Sequence, residues 1–210
     1  MNSVIQQLKL HINKLPGADA QYLMAPPIRK LYADTEQYKA TAKQSAVCVA
    51  LHLNDDNEWC VYLMQRTNYG VHGNQISFPG GKVEPSDESY LHTALREFNE
   101  EMGALNKHET IGMLTPLYIP PSNFYVEPYL IVMQEPLVLN PNNDEVVKVH
   151  SFTLKQLFAQ ENVSTYTLQK SNAELQETPC FIIDTTVIWG ATAMIISELK
   201  QWCIAENILV

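Results

Sequence analysis

Three carboxylates crowd one short stretch of this 210-residue chain: Glu97, Glu100 and Glu101. On a helix, their i, i+3, i+4 spacing projects them together from one face. Leu91, Leu95, Phe98 and Met102 mark a different, apolar face of the same helix. The mean direction of the acids lies roughly 130° from that stripe. Like charges at these spacings repel, and the helix dipole disfavours them near a C-terminus. A helix that keeps such a cluster against two local penalties points to a use for it. Carboxylate oxygens are hard ligands that suit Mg²⁺ or Mn²⁺. Taken alone, the cluster reads more often as a solvated acidic face, and its neighbours shift the balance toward the metal site. Arg96, four residues before Glu100, can hold a carboxylate by a charge-assisted hydrogen bond. Pro79-Gly80-Gly81 makes a tight loop in which backbone can approach a ligand or metal closely.

Whole-chain composition constrains the partners of such a site. The chain has 14 Lys and Arg against 23 Asp and Glu, a net charge of −9. That balance argues against nucleic acid as a partner, because phosphate binding relies on basic side chains. A small polyanion would have to be met through a divalent cation. With 46% hydrophobic and 18% charged residues, the chain can bury a real core. There is no run of about 18 apolar residues to cross a membrane, and residues 1–15 lack the basic-then-apolar plan of a signal peptide. Cys48, Cys60, Cys180 and Cys203 form no closely spaced pair. They read as reduced, buried thiols of a cytoplasmic protein, not as a zinc site or a disulfide framework.

The elements that must position the acids are legible from periodicity. Val4, Ile5, Leu8, Ile12 and Leu15 predict a helix over 3–15, ended by Pro16-Gly17. Residues 45–53 and 59–65 predict a hairpin across a polar turn at 54–57. Residues 66–87, rich in Gly, Asn, Ser and Pro, read as a long functional loop. The acidic helix is expected over 86–102, with Gly103 as its C-cap. Further strands are expected over 110–118, 126–134, 145–152, 165–168 and 181–185. A short helix is expected at 154–159 and a C-terminal helix over 190–206.

Gly81, the acidic loop, and then Arg96-Glu97-Phe98-x-Glu100-Glu101-x-Gly103-Ala104 resemble the Nudix box, G-x5-E-x7-R-E-U-x-E-E-x-G-U with U apolar. The second half fits without a gap. Counting back from Arg96 puts the early Glu on Glu88, with six residues after Gly81 instead of five. Asp87 restores the first spacing and breaks the second, so one extra loop residue is present and the early acid stays open. Arg66, His72, Gln75, Phe78-Pro79-Gly80-Gly81, Asp87 and Thr93 to Glu97 are further similar to the coenzyme A pyrophosphatase branch of the Nudix hydrolases. Thr67 and Asn74 depart from that branch, where Ser or Ala and Gly are usual, and the loop from Arg66 to Phe78 is shorter.

The resemblance implies an α/β Nudix fold: an α/β/α sandwich around a mixed β-sheet. An N-terminal helix and lead-in would span 1–30, and the Nudix domain 31–210. It implies Mg²⁺ or Mn²⁺ held by Glu97, Glu100, Glu101 and the Gly81 carbonyl. Arg96 would orient the carboxylates, with Glu100, Glu101 or Glu145 as general base. Arg66, His72 and Lys82 would meet the substrate's polar groups, and Tyr118 and Phe124 its apolar part. The implied reaction is hydrolysis of a diphosphate, in coenzyme A or its thioesters, to 3′,5′-ADP and (acyl-)4′-phosphopantetheine. An ADP-ribose, dinucleotide or nucleotide-sugar pyrophosphatase is the alternative within the class, and a non-catalytic ligand sensor the alternative outside it. A homodimer is what the family suggests for assembly.

Overall fold

The computed structural model describes residues 1–32, 34–68, 73–169 and 175–209. It begins with helix α1 (Asn2–His11), a 3₁₀ turn (Ile12–Lys14), helix α2 (Ala18–Tyr22) and 3₁₀ turns at Pro27–Tyr32 and Glu36–Tyr38. Strands β1 (Lys43–Leu53) and β2 (Trp59–Arg66) form the expected hairpin. The stretch that reads as loop carries two short strands, β3 (Ile76–Ser77) and β4 (Gly80–Lys82). Helix α3 (Tyr90–Met102) follows, and then strands β5 (His108–Met113), β6 (Leu117–Ile119), β7 (Phe124–Met133) and β8 (Val146–Thr153). Helix α4 (Leu154–Phe158), strands β9 (Val163–Gln169), β10 (Leu175–Ile183) and β11 (Thr186–Trp189), and helix α5 (Gly190–Ala205) complete the order.

Strand β1 shows why the layers form. Successive side chains of a strand point to opposite faces. Ala46, Cys48 and Ala50 face one way and pack with Ala94, Phe98 and Met102 of α3. Val49 and Leu51 face the other way, into a larger cluster with Leu8 of α1, Leu157 of α4, and Leu199 and Trp202 of α5. Strand β7 repeats the split, with Ile131 and Met133 on the α3 side and Leu130 and Val132 on the other. Helices therefore cover both faces of one sheet. The sheet is mixed: β1 runs parallel to β7 and antiparallel to β2 and β4. The parallel β1–β7 register brings Ala46 beside Glu127, and Ala46 also pairs with Gly81. The Gly80-Gly81 segment is thus clipped to the central strand.

Two stretches differ from the periodicity reading. The span 110–118 divides into β5 and β6, because residues 114–116 leave the ladder around Pro116. Residues 175–189 form most of a separate antiparallel sheet, in the order β11-β10-β9. Its polar face hides the alternation, and Asp184 at φ 54° turns the chain tightly between β10 and β11. Residues 1–30 share the domain's core through Ile5, Leu8, Met24 and Ala25.

Helix α5 is apolar on nearly every side and buried along most of its length. It carries one fully buried acid, Glu198. Its carboxylate accepts from Gln21 Nε2 at 3.0 Å, from the Thr115 N–H at 3.2 Å, and from the Thr115 hydroxyl. The broken strand and the N-terminal lead-in are thereby tied to α5. Burial raises the Glu198 pKa, against the hydrogen bonds that lower it. A raised carboxyl binds its proton more tightly folded than unfolded, so its contribution to stability falls as pH rises through the folded pKa. Glu198→Ala is expected to cost about 2–4 kcal/mol at pH 5, because it orphans buried donors. Urea unfolding should show that cost shrinking as pH rises and wild type charges its buried carboxyl.

Candidate active site

Helix α3 begins where Ser89 accepts the His92 N–H on its hydroxyl at 3.1 Å, and it ends at Gly103. The loop before it is fastened by one arginine. Arg96 donates from Nε to Asp87 Oδ1 at 2.9 Å and from Nη2 to Asp87 Oδ2 at 3.0 Å. Nη2 also reaches the Lys82 carbonyl at 3.2 Å, and Nη1 reaches Glu97 and Glu100, each at 3.0 Å. Asp87 also accepts from the Glu84 N–H at 2.9 Å and the Thr93 hydroxyl at 2.8 Å. Its side chain is fully buried, and the Arg96 guanidinium holds its carboxyl far below the usual range. Of the two loop acids that the motif spacing leaves open, Asp87 is the one paired with Arg96. Glu88 is exposed, and its only hydrogen bond among the described residues is from its N–H to His92 Nδ1.

The three helix acids sit in three environments. The Glu100 side chain is 55% exposed and paired to Arg96. Glu97 is half-buried against Gly81, where a Cβ would collide with its carboxylate. Glu101 is 1% exposed. It accepts the Gly80 N–H at 2.8 Å and lies 3.6 Å from Arg66 Nη1. Gly80 has φ 154°, and a Cβ there would strike Val47 and the Ala46 carbonyl, so only glycine fits. Burial, with repulsion from Glu97 and Glu145, pushes Glu101 up to about 8, against the Gly80 N–H and Arg66. Glu97 is also raised, first by burial and then by Glu100 and Glu145, while Arg96 opposes. Glu145 is exposed and hydrogen-bonded to Asn142, and its field reaches both Glu97 and Glu101. The structure therefore gathers Glu97, Glu100, Glu101, Glu145, Arg96, Arg66 and Gly81 around one place.

Among the described residues, no three acidic, histidine or cysteine side chains converge at ligating distance. In this arrangement Arg96 occupies the gap between Glu97 and Glu100. The donor set nonetheless fits a hard divalent cation in kind. It is all oxygen, it lies against a backbone without a side chain at Gly81, and two of its carboxyls are raised by burial and mutual repulsion.

A cleft of about 650 Å³ opens beside these groups. Arg66, Gly80, Gly81 and Lys82 line its polar part, and Phe78, Ile119, Phe124, Trp189 and Ile195 supply apolar wall. Phe124 thus has the placement that its sequence position suggests. Tyr118 does not line the cleft: its ring stacks on Tyr38 at 4.2 Å and its hydroxyl bonds Asn123. His72 lies outside the described residues. Sequence reasoning missed Asp87 as Arg96's partner, although its spacing from Gly81 was the available signal. It also missed Arg29, which lines the same cleft from the N-terminal lead-in and carries no motif.

The comparisons with known proteins fit this geometry. A model of the NUDIX domain matches residues 42–170. The chain is 32% identical over 171 residues to human mitochondrial coenzyme A diphosphatase NUDT8, covering 80% of this chain and 72% of that protein. It is 33% identical over 132 residues to the uncharacterized Nudix hydrolase NudL of Photorhabdus laumondii, covering 62% of this chain and 69% of that one. Among solved structures, a MutT/nudix family protein from Enterococcus faecalis superposes with a TM-score of 0.50 at 20% identity. That match covers 79% of this chain and 63% of the other and supports the fold.

The Asp87–Arg96 pair makes a stability prediction with a definite sign. A carboxyl whose pKa falls on folding stabilises above its unfolded pKa, and the gain is lost as pH drops through the folded value. Asp87→Asn should therefore lower Tm at pH 7. The gap from wild type should narrow steadily below about pH 4 in calorimetric scans.

Proposed function

The chain belongs to the Nudix family of pyrophosphohydrolases, and from that membership we propose that it hydrolyses the diphosphate of coenzyme A or an acyl-coenzyme A with a divalent cation. The observation that carries this reading is the cleft. One part of it is basic and backbone-lined beside the carboxylate cluster, and much of the rest is apolar wall from Phe78, Ile119, Phe124, Trp189 and Ile195. A substrate with a diphosphate joined to a long, weakly polar arm matches that division. The likeness to a coenzyme A diphosphatase over 80% of the chain supports the same choice.

Glu97, Glu100 and Glu101, with the Gly81 carbonyl, would hold the cation. Mg²⁺ or Mn²⁺ there supplies charge neutralisation and a more acidic water. Arg66, one-third exposed beside Glu101, and Lys82 at the cleft edge meet phosphate oxygens. Arg96 keeps its contacts to Asp87 and orients the helix acids. Glu145, exposed and facing Glu97 and Glu101, takes the proton of the attacking water. Water oxygen bonds to one phosphorus, the bridging P–O bond breaks, and 3′,5′-ADP and (acyl-)4′-phosphopantetheine leave. The four cysteines are free and buried, which suits the reducing cytoplasm in which we place the reaction. No helix among the described residues is long and apolar enough to cross a membrane.

The test is a substrate panel of coenzyme A, acyl-coenzyme A, ADP-ribose and diadenosine polyphosphates, with products identified by mass. Coenzyme A is expected to yield 3′,5′-ADP. Brisk cleavage of ADP-ribose with none of coenzyme A would replace this reading with the nucleotide-sugar one. Glu100→Gln and Glu101→Gln are each expected to lower kcat by at least about a hundredfold with an unchanged circular dichroism spectrum. Near-normal turnover in both would remove the metal-site assignment.

A further inference from the structure

The cleft holds a cation that the hydrolytic site does not use. Arg29 lies in the 3₁₀ turn of the N-terminal lead-in, outside the residues that match the family model. It is only 6% exposed, yet it lines the cleft. Among the described residues its side chain makes no hydrogen bond and no ion pair. Its electrostatic neighbours are the phenols Tyr22 and Tyr118, and neither is a carboxylate. Burial lowers the guanidinium to about 10, so it stays cationic in neutral solution. Buried guanidinium groups are ordinarily paired with an anion.

The surroundings are also incomplete. Tyr118, whose hydroxyl Arg29 faces electrostatically, bonds Asn123 in the turn between β6 and β7. The adjacent Ser122 also lines the cleft, and its Oγ is buried with no partner among the described residues. Ser77 Oγ on β3 is a second cleft-lining hydroxyl in the same state. A native structure seldom leaves such groups unsatisfied, and at an open cleft they are free to meet water, an ion or a ligand oxygen. A cation and hydroxyl donors around an open cleft match the oxygens of a phosphomonoester.

We propose that Arg29, assisted by the Ser122 hydroxyl, forms a second anion subsite that receives a phosphomonoester of the substrate, apart from the diphosphate being cleaved. The proposal rests on the coenzyme A reading, in which that group is the 3′-phosphate of the nucleotide half. It makes the lead-in a specificity element. Chemistry stays with α3 and β4, while Arg29 distinguishes a 3′-phosphorylated nucleotide from a plain one.

The experiment compares wild type with Arg29→Met and Arg29→Lys on coenzyme A and 3′-dephospho-coenzyme A. In parallel, calorimetry measures binding of 3′,5′-ADP and 5′-AMP. Removing an unpaired buried charge should leave Arg29→Met folded, with Tm unchanged or raised. Wild type is expected to favour coenzyme A by about tenfold or more in kcat/KM, and 3′,5′-ADP over AMP by a similar ratio. Both ratios should fall toward one in Arg29→Met and be largely kept in Arg29→Lys. If neither coenzyme is cleaved but Arg29→Met loses the preference for 3′,5′-ADP, the subsite stands and the reaction assigned above falls. The subsite is overturned if wild type binds 3′,5′-ADP and AMP alike, or if Arg29→Met keeps the preference. Continued turnover of coenzyme A would then leave the reaction intact. Should Arg29→Met not fold, the two wild-type comparisons and Ser122→Ala, expected to weaken both ratios, decide the matter alone.

Discussion

Arg96 uses every N–H it has. Five donors meet five acceptors: both oxygens of Asp87, the Lys82 carbonyl, Glu97 and Glu100. The arrangement joins three pieces of chain that local propensity would leave independent, namely the loop before α3, the end of β4 and the exposed flank of α3. It also offsets the cost of placing acids side by side near a helix C-terminus, since a cation lies between two of them. Without it, the loop would have no fixed path, and β4 would lose one of its ties to the helix.

The acids of α3 are alike in sequence and unlike in structure. Glu100 remains a surface carboxylate, while Glu101 is sealed under β4 and holds the Gly80 N–H. That difference follows from the helix's angular position. Glu101 flanks the buried Phe98 and Met102, so the side of the acidic face nearest the core is drawn under the sheet. Burial pushes the Glu101 carboxyl up to about 8 and raises Glu97 as well. The cluster is therefore graded in burial, from Glu100 at the surface to Glu101 under β4.

How much of this was legible in the sequence depended on range. The apolar, β-branched run of β1 and the 3.6-residue stripe of α3 are local signals, and both elements fall where those signals put them. The acidic triplet and Arg96 were legible because helical spacing alone brings them together. Asp87 was only half legible: its spacing from Gly81 was right, but the choice over Glu88 depends on how the loop folds back on Arg96. The sheet of β9, β10 and β11 was obscured by polar residues on its exposed side. Arg29 and Glu198 were invisible, because each is given meaning by partners far away in sequence. Gln21 and Glu198, for example, are 177 positions apart.

That separation bears on how the molecule is made. Gln21 bonds Glu198, Ala20 accepts from Ser197, and His11 accepts from Trp202, all across nearly the full length of the chain. None of these contacts can exist before α5 has been synthesised. The segment from His11 to Gln21 is thus among the last to find its place, and it waits while β1, β2, β7 and α3 assemble. A nascent chain can own its acidic helix before it owns a complete cleft. Ligand recognition, on this order of events, is a property acquired only once α5 has been made.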